Sequence, residues 1–218
     1  KYDSLKNFSE FYPMIPYQLD LLQQVFTKIR ENSSAGKHFA SGERNLLGAV
    51  QYAALEYAEK DLGILIPFQT FYGHLDQGLD HSVRATIIKA QSTPTLQSFD
   101  VDVLKVLYLI RYLKSVPSTV ENITTLMLDE LDADRLKLTE NITAALDRLT
   151  KEYLVQRTGL EYLFLTNEEQ DINREINHMD IPTSKMQSYI GEMIYDTVLE
   201  MKKYKYVPFA EKKTVAYD

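Results

Sequence analysis

Apolar residues recur at helical spacing along most of the chain. The first such segment covers residues 17–32, because Pro13 and Pro16 prevent a helix from beginning before Tyr17. Its apolar positions lie three or four residues apart: Leu19, Leu22, Val25, Phe26 and Ile29. This spacing predicts an amphipathic helix with one buried face.

The next segments alternate between predicted helix and predicted loop. After the break SSAGKH, Ser41 is a good N-cap for a second helix, and Gly63 ends it. The predicted apolar face of that helix is Leu46, Leu47, Val50, Ala53, Ala54 and Tyr57. Residues 67–75 are predicted to form a loop and residues 79–91 a third helix. The composition of STPTLQSF predicts a linker.

The pattern changes after this linker. Residues 100–115 predict a strongly apolar helix. VENITTLMLDEL predicts a short amphipathic helix that Ser118 or Thr119 could cap. Residues 139–153 predict a third helix, with Thr139 as its N-cap. VQRTGLEYLFLT then has the pattern of two short strands that turn at Thr158-Gly159. Three helices followed by a hairpin are typical of a winged helix.

The last part is again helical. Thr166 and Glu169 form a capping box before a helix that runs through Ile176, and residues 183–203 form a final helix. The predicted buried side of this helix is Met186, Ile190, Met193, Ile194, Val198 and Met201. We therefore expect a mainly α chain in three parts: a helical domain (1–98), a winged-helix domain (99–170), and C-terminal helices with the start of a further domain (171–218).

Composition limits the classes of protein to which the chain can belong. Its 218 residues are 44% hydrophobic, with 8 glycines and 7 prolines, which favours a folded helical protein. The absence of cysteine excludes disulfides and thiolate metal sites, and we expect a cytoplasmic protein. The net charge of −7 opposes general coating of nucleic acid, and no apolar run predicts a membrane span. The first residue is Lys1, so we interpret the chain as a fragment of a larger protein.

No enzyme site is predicted within the chain itself. A phosphate-binding loop at SSAGKH would need glycine at position 31 and serine or threonine at 38, where the chain has Glu31 and His38. The histidines lack the spacing of metal ligands, and LDELDAD has no calcium-loop glycine, so we interpret it as a solvated helix end and predict no metal site. There is also no GxSxG nucleophile elbow.

A winged helix raises the question of DNA binding, since its third helix would enter the major groove. The candidate contacts are Asn141, Arg148, Lys151 and Arg157. Carboxylates alternate with these residues along the same helices, and phosphate groups would be repelled by them. Contact with a protein, or plain structural support, is therefore the favoured interpretation of this module.

Arg44 is the most unusual candidate, because the macrodipole disfavours a cation at the start of a helix. An arginine there can bind an anion together with the free backbone N–H groups, or it can be an ordinary surface residue.

Three stretches resemble parts of known P-loop ATPases. Gly42-Glu43-Arg44-Asn45-Leu46-Leu47 resembles the sensor-2 motif that opens the lid helix of AAA+ and related ATPases. FYPMIPYQLDLL resembles the segment that precedes this lid in large prokaryotic ATPases, and YLFLTNEEQDINREI resembles the end of their winged helix. The order of these segments is similar to the region after the P-loop core in the BrxC family of BREX phage-defence ATPases.

The resemblance implies a non-catalytic fragment, lid plus winged helix, of a bacterial antiphage ATPase. Gly42 and Arg44 would sense nucleotide, with ATP and Mg²⁺ held by the parent protein and none by the fragment alone. Implied partners are the P-loop core, other defence subunits and possible DNA, within a possible homo-oligomer. Two alternatives stay open: a winged-helix DNA-binding module of a transcription or defence complex, and a protein-interaction scaffold domain.

Overall fold

Helices account for most of the chain in the computed structural model. The structure describes residues 5–32, 42–76, 79–179, 182–200, 203–206 and 213–216, with the backbone alone at some positions, among them 42–45. The predicted mainly α class is confirmed. None of the described helices combines the length and the apolar character that crossing a membrane requires.

The described elements follow one another with short connections. The helices are α1 (Leu5–Phe11), α2 (Pro16–Asn32), α3 (Gly42–Glu56), α4 (Phe71–Leu75), α5 (His81–Ser92), α6 (Ser98–Ile110), α7 (Val120–Leu126), α8 (Arg135–Lys151), α9 (Asn167–His178) and α10 (Thr183–Glu192). The strands are β1 (Val155–Thr158), β2 (Glu161–Phe164), β3 (Lys203–Tyr206) and β4 (Lys213–Ala216), paired as two antiparallel hairpins, β1–β2 and β3–β4.

Helices α2 and α3 pack against each other near the start of the chain. Pro16 is the first residue of α2, where its missing N–H has no intrahelical partner to lose. The predicted buried face of α2 is confirmed except at Leu19, which is half-buried. The predicted face of α3 is partly wrong: Ala53 is buried as predicted, but Leu47 and Ala54 are exposed, and Ala49, outside the predicted face, is buried.

Residues 67–75 were predicted as a loop, and this prediction is wrong. Phe68–Thr70 form a 3-10 turn that continues directly into α4. Phe68, Phe71 and Leu75 are fully buried, and the two phenylalanine rings meet edge to face at 5.5 Å. The segment is therefore a central part of the core rather than a surface connection.

The predicted series of three helices and a hairpin is present at α6, α7, α8 and β1–β2. Thr119 caps α7 by accepting a hydrogen bond from the N–H of Asn122 at 3.4 Å, as one of the two predicted caps. The predicted start of α8 is wrong: Asp134, and not Thr139, is the N-cap, and it accepts from Leu136 and Lys137. LDELDAD is accordingly the connection between α7 and α8 rather than a helix end.

The hairpin is well defined in register. Val155 faces Phe164 and Thr158 faces Glu161, so the loop is Gly159-Leu160, one residue beyond the predicted turn. Gly159 has a φ of 63°, and glycine at the first loop position suits a II′ turn. A further bridge joins Thr119 to Glu161, and the N–H of Tyr162 donates to the carbonyl of Ser118 at 3.0 Å. The segment before α7 thus forms an isolated bridge to β2, beside the two-stranded hairpin.

One hydrophobic core extends from α2 to β2. Tyr108 of α6 is 1% exposed and lies near its centre, with ring centroids 6.2 Å from Tyr72 and 5.3 Å from Phe164. Lys1–Arg174 accordingly form one compact unit, and Glu175–Asp218 form another. The predicted division between residues 98 and 99 falls inside the first unit.

The predicted capping box at the start of α9 is confirmed. The N–H of Thr166 donates to Glu169 at 2.8 Å, and the N–H of Glu169 is 3.5 Å from the Thr166 hydroxyl. Arg111 donates to the same carboxylate at 2.6 Å. Burial alone would raise the pKa of Glu169, but these hydrogen bonds outweigh it and lower the pKa.

The second unit contains α10 and a π-helical continuation, Met193–Val198. The predicted single helix over 183–203 is wrong at its C-terminal end, because β3 already begins at Lys203. The predicted burial is also wrong: Met186, Ile190, Met193, Ile194 and Val198 are 42% to 71% exposed. Met201, predicted on the same face, lies outside the described residues.

Candidate functional site

The prediction that a helix begins beside Arg44 is confirmed. α3 starts at Gly42, so Gly42 and Arg44 occupy its first turn, where backbone N–H groups have no partner within a helix. Ser41, the predicted N-cap, lies outside the described residues, and only the backbone of residues 42–45 is described.

Two glycines allow α3 and α4 to approach each other closely. A Cβ atom at Gly48 of α3 would lie 2.6 Å from Cε1 of His74 in α4, and a Cβ atom at Gly73 would lie 2.5 Å from the Tyr52 hydroxyl. Each helix therefore presents a glycine to a ring of the other. Burial in this contact lowers the pKa of His74. Since Gly48 lies one helical turn after Arg44, the contact fixes the part of α3 that carries the candidate sensor.

Replacing Gly48 with alanine should destabilise this contact. Overpacking against the His74 ring typically costs about 1–3 kcal/mol, while alanine gains up to about 1 kcal/mol of helix propensity over glycine. We expect the free energy of unfolding in urea to fall by about 1 kcal/mol.

The control is the same Gly48→Ala substitution in a chain that lacks the His74 ring. In a His74→Ala background, Gly48→Ala should instead stabilise the chain by up to about 1 kcal/mol, because only the propensity gain remains. If Gly48→Ala changed the free energy of unfolding equally in both backgrounds, the His74 ring would not limit the size of the side chain at position 48.

The structure places the four candidate nucleic-acid contacts in different environments. Asn141 and Lys151 are exposed on α8. Arg157 is exposed on β1, but its Nε donates to the carbonyl of Gly159 at 3.1 Å and its guanidinium lies 5.7 Å from the Tyr162 ring centroid. Arg148 is half-buried and forms an ion pair with Asp100.

Arg148 forms a bidentate ion pair with Asp100. Its Nε and Nη2 donate to the two carboxylate oxygens at 2.7 and 2.6 Å, and the Asp100 side chain has no exposed surface. The same carboxylate accepts the N–H of Gln97 in a capping box that begins α6. Hydrogen bonding to Asp100 raises the pKa of Arg148. In this structure Arg148 therefore holds α8 against α6 and is not a free cation on the outer face.

Carboxylates interrupt the exposed face of α8 and its surroundings. Glu140 and Asp147 are exposed on α8, and Glu121 and Glu161 are exposed on α7 and β2. With Arg148 paired internally, the exposed cations of α8 and β1 are Arg135, Lys137, Lys151 and Arg157, as many as these four carboxylates. This charge balance disfavours a DNA backbone as the ligand of the face.

A polar groove of about 740 Å³ lies between the C-terminal part of α2 and residues 111–115, which follow α6. Among its lining cations, Lys28 pairs with Glu31 at 2.7 Å and Arg111 pairs with Glu169 at 2.6 Å. The third lining cation, Lys114, is exposed, and Glu161 of β2 lines the groove as well, so cations and carboxylates are mixed along it.

The histidines do not combine into a metal centre in the part of the chain that is described. His74 lies against Gly48, His81 is exposed at the start of α5, and His38 lies outside the described residues. No group of three or more histidine, aspartate or glutamate side chains suited to a metal occurs among the described residues.

Sequence reasoning missed the polar network that holds α9 against α5. Buried Gln170 donates to the Thr86 hydroxyl at 3.1 Å and to the carbonyl of Leu165 at 3.0 Å, and it accepts from Lys89 at 2.8 Å. Burial lowers the pKa of Lys89. Only the position of Gln170 within the first turn after the capping box could have drawn attention to it.

Neither a scan against protein-family models nor a search of solved structures found a match to the chain.

Proposed function

We propose that this chain is the lid and winged-helix part of a large bacterial P-loop ATPase of antiphage defence, similar to the BrxC family. In this proposal the chain is not itself catalytic. It couples ATP bound by a separate P-loop core, with Mg²⁺, to contacts between the winged helix and a partner.

The winged-helix assignment is supported by the arrangement of α6, α7, α8 and β1–β2. A segment between the first and second helices that adds a strand to the hairpin is common in winged helices, and here Ser118 and Thr119 bond to β2. α8, in the position of a recognition helix, buries Ile142, Leu146 and Leu149 and leaves its other face exposed.

One observation carries the coupling part of the proposal: the helix that begins at Gly42 and the winged-helix elements share one hydrophobic core. Densely packed cores transmit displacement instead of absorbing it. Binding of a γ-phosphate at the start of α3 would therefore move α6 to β2 together with α3.

Arg44→Ala in the intact protein tests the nucleotide-sensing role. One charge-assisted hydrogen bond is worth about 1.5–3 kcal/mol, so we expect ATP hydrolysis to slow by roughly 10- to 100-fold while ATP binding changes much less. The matched control is Arg30→Ala, which removes an exposed arginine near the end of α2 and should leave hydrolysis unchanged.

Two results would overturn the proposal. Unchanged hydrolysis in Arg44→Ala would make Arg44 an ordinary helix-end residue. Tight ATP binding by this 218-residue chain alone, measured by calorimetry, would contradict its assignment to the non-catalytic part.

DNA binding is the second candidate, favoured by exposed Asn141 and Lys151 on α8. Fluorescence anisotropy with a labelled duplex distinguishes it, because binding through phosphate contacts weakens steeply with salt. The carboxylates around α8 favour a protein partner over DNA.

A further inference from the structure

One face of the helical segment formed by α10 and its π-helical continuation, Met193–Val198, is apolar and exposed. Every residue of these two parts is described, and none of them is buried. Five large apolar side chains of the segment are 42% to 71% exposed: Met186, Ile190, Met193, Ile194 and Val198. We call these five residues the α10 stripe. Helices of globular proteins normally pack such a face against another element.

The backbone of one continuous helical segment places the α10 stripe on a single face. Within α10, the first three members are spaced by four and then three residues, so they lie above one another. The continuation has a wider turn, since the N–H of Leu199 donates to the carbonyl of Ile194, five residues earlier, at 2.8 Å. Val198 follows Met193 by five residues and Ile194 by four, so the wider turn returns it to the same face.

The area of the α10 stripe suits one half of an interface between two proteins. At roughly 200 Å² of accessible surface for a large side chain, the exposed fractions leave on the order of 500 Å² of apolar surface. The largest apolar patch on a typical monomer is about 300–600 Å² and is often functional. Two stripes packed face to face bury on the order of 1,000 Å², the size at which a specific interface becomes distinguishable from incidental contact. Exposed Tyr189, at the edge of the stripe, adds to this area.

Charges beside the α10 stripe are complementary to those of a second copy in the antiparallel orientation. Lys185 lies near the N-terminal end of α10 and Glu192 at its C-terminal end, and both are exposed. They are seven residues apart and therefore flank the stripe on the same side. In a two-fold symmetric antiparallel pair the same flank of both helices meets, so Lys185 of each copy lies beside Glu192 of the other. A parallel pair leaves the two residues about two turns apart.

We propose that the α10 stripe joins two copies of this chain through an antiparallel, two-fold symmetric pair of helices. The continuous apolar face provides the centre of the interface, and the Lys185–Glu192 pairs form its polar rim. The stripe belongs to the second compact unit, Glu175–Asp218, and the inference does not depend on the nucleotide-sensing role proposed for Arg44.

Sedimentation equilibrium of the whole chain tests the proposal. We expect a reversible dimer with a dissociation constant on the order of 10 µM, since the interface lies at the small end of specific interfaces. A chain that remains monomeric up to about 100 µM would overturn the proposal. The experiment contains no nucleotide, so its failure and the failure of the nucleotide-sensing role are distinguishable.

Two triple variants separate the α10 stripe from general association of exposed apolar residues. Met186→Gln, Ile190→Gln and Met193→Gln together should weaken the dimer by about 100-fold or more, because apolar contacts are lost from both copies. Glutamine retains the helix propensity of α10, and circular dichroism verifies that the helix content is unchanged.

The matched control replaces three leucines outside α10 with glutamine: Leu47, Leu55 and Leu160, which are 69%, 69% and 77% exposed. It should change the dissociation constant by less than about twofold. Equal weakening of the dimer by both triple variants would overturn the assignment of the interface to the α10 stripe.

A charge exchange tests the antiparallel orientation. Lys185→Glu or Glu192→Lys alone should weaken the dimer by about three- to tenfold at low salt, because each change places like charges together twice. The two changes together should restore the dissociation constant to within about twofold of the original. The two positions are about 10 Å apart along one helix, so this restoration requires contact between copies. If the double variant were as weak as the single variants, the antiparallel pairing would be wrong.

Discussion

Arg148→Ala is expected to lower the free energy of unfolding by about 3 kcal/mol. Removing one partner of a buried ion pair typically costs about 3–5 kcal/mol, because the remaining charge is left uncompensated. Asp100 has no exposed side-chain surface, whereas Arg148 is 30% exposed, so water can replace part of the lost interaction. We therefore expect the lower end of that range, measured by urea unfolding followed by circular dichroism.

Lys151→Ala is the matched control, because Lys151 is an exposed cation near the end of the same helix. It should change the free energy of unfolding by less than about 0.5 kcal/mol. A double-mutant cycle with Asp100→Asn and Arg148→Met should show a coupling of about 1.5 kcal/mol or more. A loss below about 1 kcal/mol in Arg148→Ala would show that Asp100 tolerates burial without its partner.

Arg148 also shows where sequence reasoning about the site reaches its limit. The period of α8 correctly predicts an amphipathic helix and leaves Arg148 on the polar side, where it resembles a candidate for nucleic-acid contact. Its partner, Asp100, lies 48 residues earlier in the chain. Neither periodicity nor charge pattern contains such a long-range pairing, so the role of Arg148 follows only from the fold.

Predictions from the sequence were correct where the interacting residues lie close together in the chain. The Thr166–Glu169 capping box, the Thr119 cap and the hairpin turn at Gly159 each depend on residues within a few positions, and each is found, the turn one residue later than predicted. The predicted start of α8 was wrong because Asp134 and Thr139 are both residue types that can cap a helix. The choice between them depends on the pairing of residues 129–131 with residues 63–65, which ends just before Asp134.

Short buried segments were the least predictable. Residues 67–75 are too few to show a helical period and contain Pro67 and Gly73, which favour a loop. Tertiary burial of Phe68 and Phe71 decides their structure instead. The start of α3 at Gly42 was predictable from sequence, but the Gly48–His74 contact that fixes this helix joins two separate elements and was not.

Tyr108→Ala is expected to destabilise the chain most, by about 4 kcal/mol. Truncating a fully buried aromatic side chain typically costs about 3–5 kcal/mol. Tyr108 contacts the rings of Tyr72 in α4 and Phe164 in β2, so its loss leaves a cavity between the early helices and the hairpin. If both parts share one core, unfolding should remain a single transition at lower urea concentration.

Native-state hydrogen exchange distinguishes one cooperative unit from two. In Tyr108→Ala, amides of α2 and of α8 should lose protection by the same free energy, because both helices unfold with the shared core. Tyr189→Ala is the control; this tyrosine of α10 is 65% exposed, and its loss should cost less than about 0.5 kcal/mol. Protection lost in α8 but retained in α2 would instead support a domain boundary at residues 98 and 99. It would also remove the mechanical link between the start of α3 and the proposed winged helix, and the proposed coupling depends on that link.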